Sequence, residues 1–193
     1  PQGIPLIGGI AMGLSFILAC LIGFSFYGTF SQEVIGIIIA SFIMLIFGVI
    51  DDLRELSIPA KFSVQIIATS LLILFGIKTQ IVYIGNLANI IITFIWILGI
   101  TNAINHLDVI DGLAAGTAMF ASLAFFAISL FNGDIRTAIL SLALAVAALG
   151  FLIHNLPPAR IYMGNSGSHF LGFVLAAIAL VISYAPLERK IAL

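Results

Sequence analysis

Apolar runs long enough to cross a bilayer fill this sequence, and only short polar segments interrupt them. Seven runs are read at about 6–27, 34–50, 61–77, 87–105, 113–131, 135–154 and 168–185. A helix needs roughly 20 apolar residues to span the hydrocarbon core, and shorter ones are accommodated by bilayer thinning. No run alternates with the period of two that a barrel strand requires, so helices remain as the way to satisfy the backbone in lipid. Hydrophobic residues make up 62% of the chain and charged residues 8%, against about 25% charged in soluble domains. Such a chain cannot cover a water-facing surface. The expected fold is all-α, a polytopic transmembrane helix bundle of about seven spans, with residues 1–193 forming one domain.

The connectors at 27–29, 132–134 and 155–158 read as turns, and 78–86 alternates weakly, as a small hairpin outside the membrane would. The net charge of −1 says nothing about nucleic acid, but there is no basic patch or run, so no nucleic-acid partner is expected. Cys20 is the single cysteine and lies within an apolar run, so no intrachain disulfide forms. The sequence begins with Pro1 and reads as part of a longer chain.

Three polar segments, at 48–54, 102–112 and 158–168, carry the chemistry. They follow the second, fourth and sixth runs. Every second connector lies on the same side of a bundle, so all three share one membrane face. Four of the eight acidic residues, Asp51, Asp52, Asp108 and Asp111, sit there among Gly and Asn. Carboxylates at membrane depth are costly and mark functional sites. The lysines and arginines do not orient the bundle: Arg54, Lys61 and Arg160 lie on this face, against Lys78, Arg136, Arg189 and Lys190 elsewhere. The positive-inside rule slightly disfavours a cytoplasmic polar face.

Adjacent carboxylates repel unless a cation or proton stands between them. Mg²⁺ takes one or two protein carboxylates together with water and substrate phosphates. Gly-rich turns let backbone N–H groups approach phosphate oxygens, and Asn adds donors without charge. The combination suits Mg²⁺-assisted phosphoryl transfer at a membrane surface.

These residues resemble a family, the polyprenyl-phosphate N-acetylhexosamine-1-phosphate transferases of the glycosyltransferase 4 type. The family's Asp-Asp helix end, with Lys and Gln on the next helix, is matched by Asp51, Asp52, Lys61 and Gln65. Its Asn-x-x-Asn-x-x-Asp-Gly-x-Asp-Gly segment is matched by Asn102, Asn105, Asp108, Asp111 and Gly112. Its Pro-Ala-Lys/Arg-x-x-Met-Gly-Asp-x-Gly-Ser segment is matched by Pro158, Ala159, Arg160, Met163, Gly164, Gly167 and Ser168. The opening Pro5-Leu6-Ile7-Gly8-Gly9 is similar to the Pro-x-x-Gly-Gly start of the family's second helix. The resemblance covers the whole chain in order. It also implies that the chain lacks the family's first helix and its C-terminal helices, with their His/Arg-bearing loop.

What the resemblance implies is transfer of HexNAc-1-phosphate from a UDP-HexNAc to undecaprenyl phosphate, with release of UMP, in cell-envelope polysaccharide synthesis. The cofactor would be Mg²⁺, and the enzyme would sit in the bacterial cytoplasmic (inner) membrane with its active face cytoplasmic; a homodimer is left open. By the same resemblance Asp51, Asp52, Asp108 and Asp111 are catalytic. Lys61, Asn102, Asn105, Arg160, Gly164 and Ser168 bind substrate, and Asp51, Asp52 and Asn165 hold the metal.

Two positions depart from the family pattern. Val109 stands where the family has Gly, and Val resists positive φ. Asn165 stands where the family has a metal-contacting Asp; it offers a carbonyl oxygen but no charge. An inactive homologue therefore stays open as an alternative, as does a carboxylate-lined transporter, although a transporter places ionisable groups near the midplane. His106 and His154 border the polar face, as interfacial residues or phosphate contacts. His169 reads as a structural hydrogen-bonding residue. Gly8, Gly9 and Gly13 read as close-packing positions.

Overall fold

Among the described residues seven helices follow one another: α1 (Gly8–Tyr27), α2 (Gln32–Leu53), α3 (Ile58–Leu74), α4 (Gly85–Leu107), α5 (Leu113–Phe131), α6 (Ile135–Asn155) and α7 (Gly164–Val181). The computed structural model describes residues 5–27 and 30–182. The turn read at Gly28-Thr29 and the charges Arg189 and Lys190 lie outside the described residues. Six of the helices are long and apolar enough to cross a membrane, and the chain is a multi-pass membrane protein. The seventh, α3, has 17 residues, which at 1.5 Å per residue is about 25 Å, short of a full hydrocarbon core.

The sequence of α7 explains why it becomes the centre. Every residue from Ser166 to Ile178 is buried, as a helix without a polar face must be. The other helices bury one side and turn apolar residues such as Ile22, Phe26, Ile67 and Ile95 outward, where lipid is their solvent. Hydrophobicity cannot drive one helix against another in lipid, so packing does, and small residues allow the closest approach. A Cβ on Gly9 would overlap the backbone of Gly167, and one on Gly48 would overlap the backbone of Ser166. A Cβ on Gly172 would stand 2.8 Å from Thr101 Cα. The N-terminal half of α7 is thereby touched by α1, α2 and α4. Gly8 and Gly13 are also packing positions, against Phe151 and Leu45.

Two expectations need correction. The stretch 78–86 forms no strand pair; 78–84 is an irregular turn and 85–86 open α4. The side chain of Asn89 accepts from Ile81 N at 2.9 Å and donates to Ile81 O at 3.0 Å, while Thr93 Oγ1 accepts from Thr79 N at 3.0 Å. Helix α4 thus supplies the partners that a second strand would have provided. The last span, read from 168, begins at Gly164. Its first turn is polar, and what stabilises it comes from α2, as described below.

Glu55, His106 and Arg160, one from each polar segment, are exposed. Cysteines placed at these three positions, in a full-length protein carrying Cys20→Ser, are expected to react with an impermeant maleimide from the same side of the membrane. Labelling from opposite sides would overturn the span count.

Candidate active site at the start of helix α7

Asp51 and Asp52 occupy the last turn of α2, where neighbouring residues point about 100° apart. That divergence gives them different surroundings. Asp51 turns into the protein and is 2% exposed. Its Oδ1 accepts from Leu56 N at 2.9 Å. Its Oδ2 is sealed from solvent with the Lys61 ammonium at 2.7 Å, a charge pair rather than a directed hydrogen bond. Both oxygens thus have partners within the protein, and Asp51, expected beside Asp52 at the metal, stands here as the partner of Lys61.

Asp52 turns toward α7. Its Oδ1 accepts from Asn165 N at 2.6 Å and its Oδ2 from Ser166 N at 3.0 Å. The first N–H groups of a helix have no partner within it, and the positive end of the dipole favours a carboxylate there. Met163, at the N-cap position, makes no side-chain cap bond. Asp52 therefore caps α7 from 113 residues away. Gly164 has φ +69, and a Cβ there would lie 2.6 Å from Asp52 Oδ2, so this glycine is required by both backbone and space.

Helix α4 brings the second segment to the same place. Asn105 Nδ2 donates to Asn165 Oδ1 at 3.2 Å and to Ser168 Oγ at 2.8 Å. Asn105 Oδ1 and Asn165 Nδ2 make no hydrogen bond among the described residues, so an amide end on each is available to a ligand. Ser168 is buried and also donates to Gly164 O at 2.9 Å. Its hydroxyl serves the first turn of α7 rather than an open surface. Asn102 is used one turn deeper: it donates to Gln65 Oε1 at 2.8 Å and to Leu98 O at 2.7 Å, and accepts from Gln65 Nε2 at 3.3 Å. This amide pair ties α3 to α4.

Asp108 ends α4, and Asp111 follows in the turn to α5. Neither side chain makes a hydrogen bond or ion pair among the described residues. The Asp108 carboxyl is pushed up to about 7, first by burial and then by the charges of Asp111 and Asp52. The turn needs positive φ only at Gly112, φ +78, and among the described residues no other residue type has positive φ. Val109 is therefore tolerated where the family has Gly; its side chain is 84% exposed.

The third segment reaches the site as a strap. Tyr162 N donates to Pro5 O at 3.0 Å, and Tyr162 O and Met163 O accept from Gly8 N and Gly9 N, each at 3.1 Å. Arg160 lies on this strap with its side chain exposed and forms no ion pair among the described residues. His106 and His154 are exposed, and His154 Nδ1 faces Gly150 O of its own helix at 3.1 Å. His169 is buried, with Nδ1 3.2 Å from Asn165 O and its ring edge-on to Phe47. Two participants went unread in the sequence. Ser166 supplies an amide to Asp52, and Asn155 bonds to both Gly112 and Ile161. Only the position of Asn155, at a helix end before Pro157-Pro158, hinted at more than a turn residue.

The oxygens that could meet a cation are the carboxylates of Asp108 and Asp111, without a partner among the described residues, and those of Asp52 and Asn165 Oδ1, which keep a lone pair beside the N–H groups they already accept from. Among the described residues no three acidic, His or Cys side chains enclose a metal site by themselves. That fits Mg²⁺, which completes its shell with water and substrate phosphates. Burial raises the Asp108 carboxyl first and the neighbouring charges of Asp111 and Asp52 add to it; a cation beside these carboxylates would offset both.

A family model, glycosyl transferase family 4, matches residues 34–183. The chain belongs to glycosyl transferase family 4. Among curated proteins it is 31% identical over 189 residues to a probable undecaprenyl-phosphate N-acetylglucosaminyl 1-phosphate transferase of Bacillus subtilis, covering 93% of this chain and 52% of that protein. It is 34% identical over 196 residues to a decaprenyl-phosphate N-acetylglucosaminephosphotransferase of Mycobacterium tuberculosis, covering 90% and 48%. A phospho-N-acetylmuramoyl-pentapeptide-transferase of Shouchella clausii is 34% identical over 200 residues, covering 93% and 61%. This family 4 chain thus spans about half the length of the curated relatives it matches, and the matched half contains all three polar segments.

Proposed function

We propose that the protein transfers HexNAc-1-phosphate from a UDP-HexNAc to undecaprenyl phosphate, releasing UMP, in cell-envelope polysaccharide synthesis at the cytoplasmic face of a bacterial inner membrane. The observation that carries this reading is the convergence of three separate polar segments on the first turn of α7, where carboxylates and amide groups stand together at a helix end. A transporter needs such groups along a path through the bundle; here they cluster at one end of it.

In this reading a lipid phosphate oxygen attacks the sugar-bearing β-phosphorus. The bond from that phosphorus to the bridging oxygen of UMP breaks, and UMP leaves with the electron pair. A phosphate ionised at neutral pH needs little help from a base, so the residues act mainly by positioning. Asp52, Asp108 and Asp111, with Asn165, would hold Mg²⁺, which supplies charge neutralisation on the diphosphate. Asn105 presents its free carbonyl to the donor. Arg160, exposed on the strap, offers phosphate a charge. Asp51 and Lys61 support the end of α2, and Asn102 supports α4.

The test is UMP release by the full-length protein with a UDP-HexNAc and undecaprenyl phosphate across a Mg²⁺ titration. Asn165→Asp keeps the acceptor for Asn105 and adds one charge. At an effective dielectric of about 20, a charge about 4 Å from a unit charge is worth roughly 4 kcal/mol before desolvation. With much of that offset, Asn165→Asp is expected to raise activity about tenfold or more at limiting Mg²⁺ and less than about threefold at saturation. Equal activity at every Mg²⁺ concentration would remove position 165 from the metal site. No release by either form would overturn the transferase reading.

A further inference from the structure

Asn155 is the last residue of α6 and is 3% exposed. A buried amide needs partners, and the two it has belong to different polar segments. Its Oδ1 accepts from Gly112 N at 2.7 Å, and its Nδ2 donates to Ile161 O at 3.0 Å. Gly112 closes the turn that carries Asp108 and Asp111 and stands at the N-cap of α5. Ile161 lies on the strap that leads through Tyr162 and Met163 into Gly164 and the first turn of α7. The same strap is held to α6 by Arg160 N, which donates to His154 O at 2.9 Å.

We propose that Asn155 is a positioning residue that sets the Asp108–Asp111 turn against the start of α7. Among the described residues, the acidic turn itself makes no hydrogen bond to α7. Its placement relative to Asp52 and Asn165 depends on elements that hold both, and Asn155 joins the two segments through a single side chain. This inference rests on the transferase reading for its kinetic consequence but not for its structural one. Supporting groups one contact removed from a metal or reacting centre typically change activity by about 10- to 100-fold when lost.

The experiment uses the full-length protein in detergent, with Asn155→Ala and Asn155→Asp. Alanine removes both bonds. Aspartate keeps the acceptor for Gly112 N–H but has no N–H for Ile161. In Asn155→Ala, amide exchange in the peptide containing Gly112 is expected to accelerate at least about tenfold, the loss expected for one buried bond. Turnover per folded molecule is expected to fall about 10- to 100-fold, with the KM for the lipid acceptor within about threefold of wild type. In Asn155→Asp, Gly112 stays protected and turnover falls by an intermediate factor. A residue that only stabilised the fold would lower the melting temperature and yield while leaving turnover of the folded fraction unchanged; that result would overturn the proposal. So would lost turnover with Gly112 protection intact in Asn155→Ala. If Asn155→Ala does not fold, wild-type turnover in Asn155→Asp overturns it. A wild-type protein without transferase activity defeats the functional reading alone, and Gly112 exchange still decides whether Asn155 makes the link.

Discussion

Asp52→Ala is expected to lower turnover at least about 100-fold and to destabilise the protein. Both effects have one source. Asp52 accepts from two consecutive backbone amides at the start of α7, at 2.6 and 3.0 Å. Removing a capping side chain costs about 0.5–2 kcal/mol. It would also free Asn165, whose placement matters if it contacts the metal, and a displacement of about 1 Å at a reacting centre can cost about 100-fold. Asp52→Asn separates the two effects. It retains one acceptor oxygen, so its loss of stability should be about half that of Ala, while the charge is gone. Turnover of Asp52→Asn close to that of Ala would show that the carboxylate charge matters beyond capping. Turnover of Asp52→Ala within threefold of wild type would sink the assignment of this residue to the site.

The second large effect is expected at Lys61. Asp51 is fully buried, and the Lys61 ammonium, whose side chain is 24% exposed, is the charge against it. Removing one partner of a buried pair leaves the other charge unpaired, at a cost of about 3–5 kcal/mol. Lys61→Met should therefore fall near the low end of that range, because part of the pair is within reach of water. For a chain of this size, 3 kcal/mol corresponds to roughly 6–12 °C in melting temperature. The double variant Asp51→Asn with Lys61→Met should recover most of the loss, since no charge is then stranded. Thermal melts of the four forms complete a double-mutant cycle. Additive losses would mean that Lys61 does not neutralise Asp51 in the folded protein.

The membrane class, the number of helices and the shared face of the polar segments could all be read from local pattern. Run length and absence of charge are properties of a few consecutive residues, and parity follows from counting spans. The same reading carried the family motifs, because their residues lie within ten or so positions of one another. It erred where an element's partner was remote. Hydropathy rises at 168 and puts the start of α7 there, yet the helix begins at Gly164 because Asp52 caps it. Weak alternation over 78–86 points to a hairpin and gives no sign that Asn89 and Thr93 satisfy its backbone.

Asp51 and Asp52 show the division most clearly. Sequence alone established that two adjacent carboxylates end a membrane helix and that neither could be there without compensation. It could not assign the compensation. Helical geometry sends the two side chains about 100° apart, and what each meets is set by how α3 and α7 pack on α2. One meets the Lys61 ammonium; the other meets the amides of Asn165 and Ser166. In lipid, small residues decide how closely helices cross, and the contacts of Gly9 with Gly167 and Gly48 with Ser166 bring the start of α7 against α1 and α2. Local sequence therefore determined which groups the site contains, while only the crossing of distant helices decided which of them face each other.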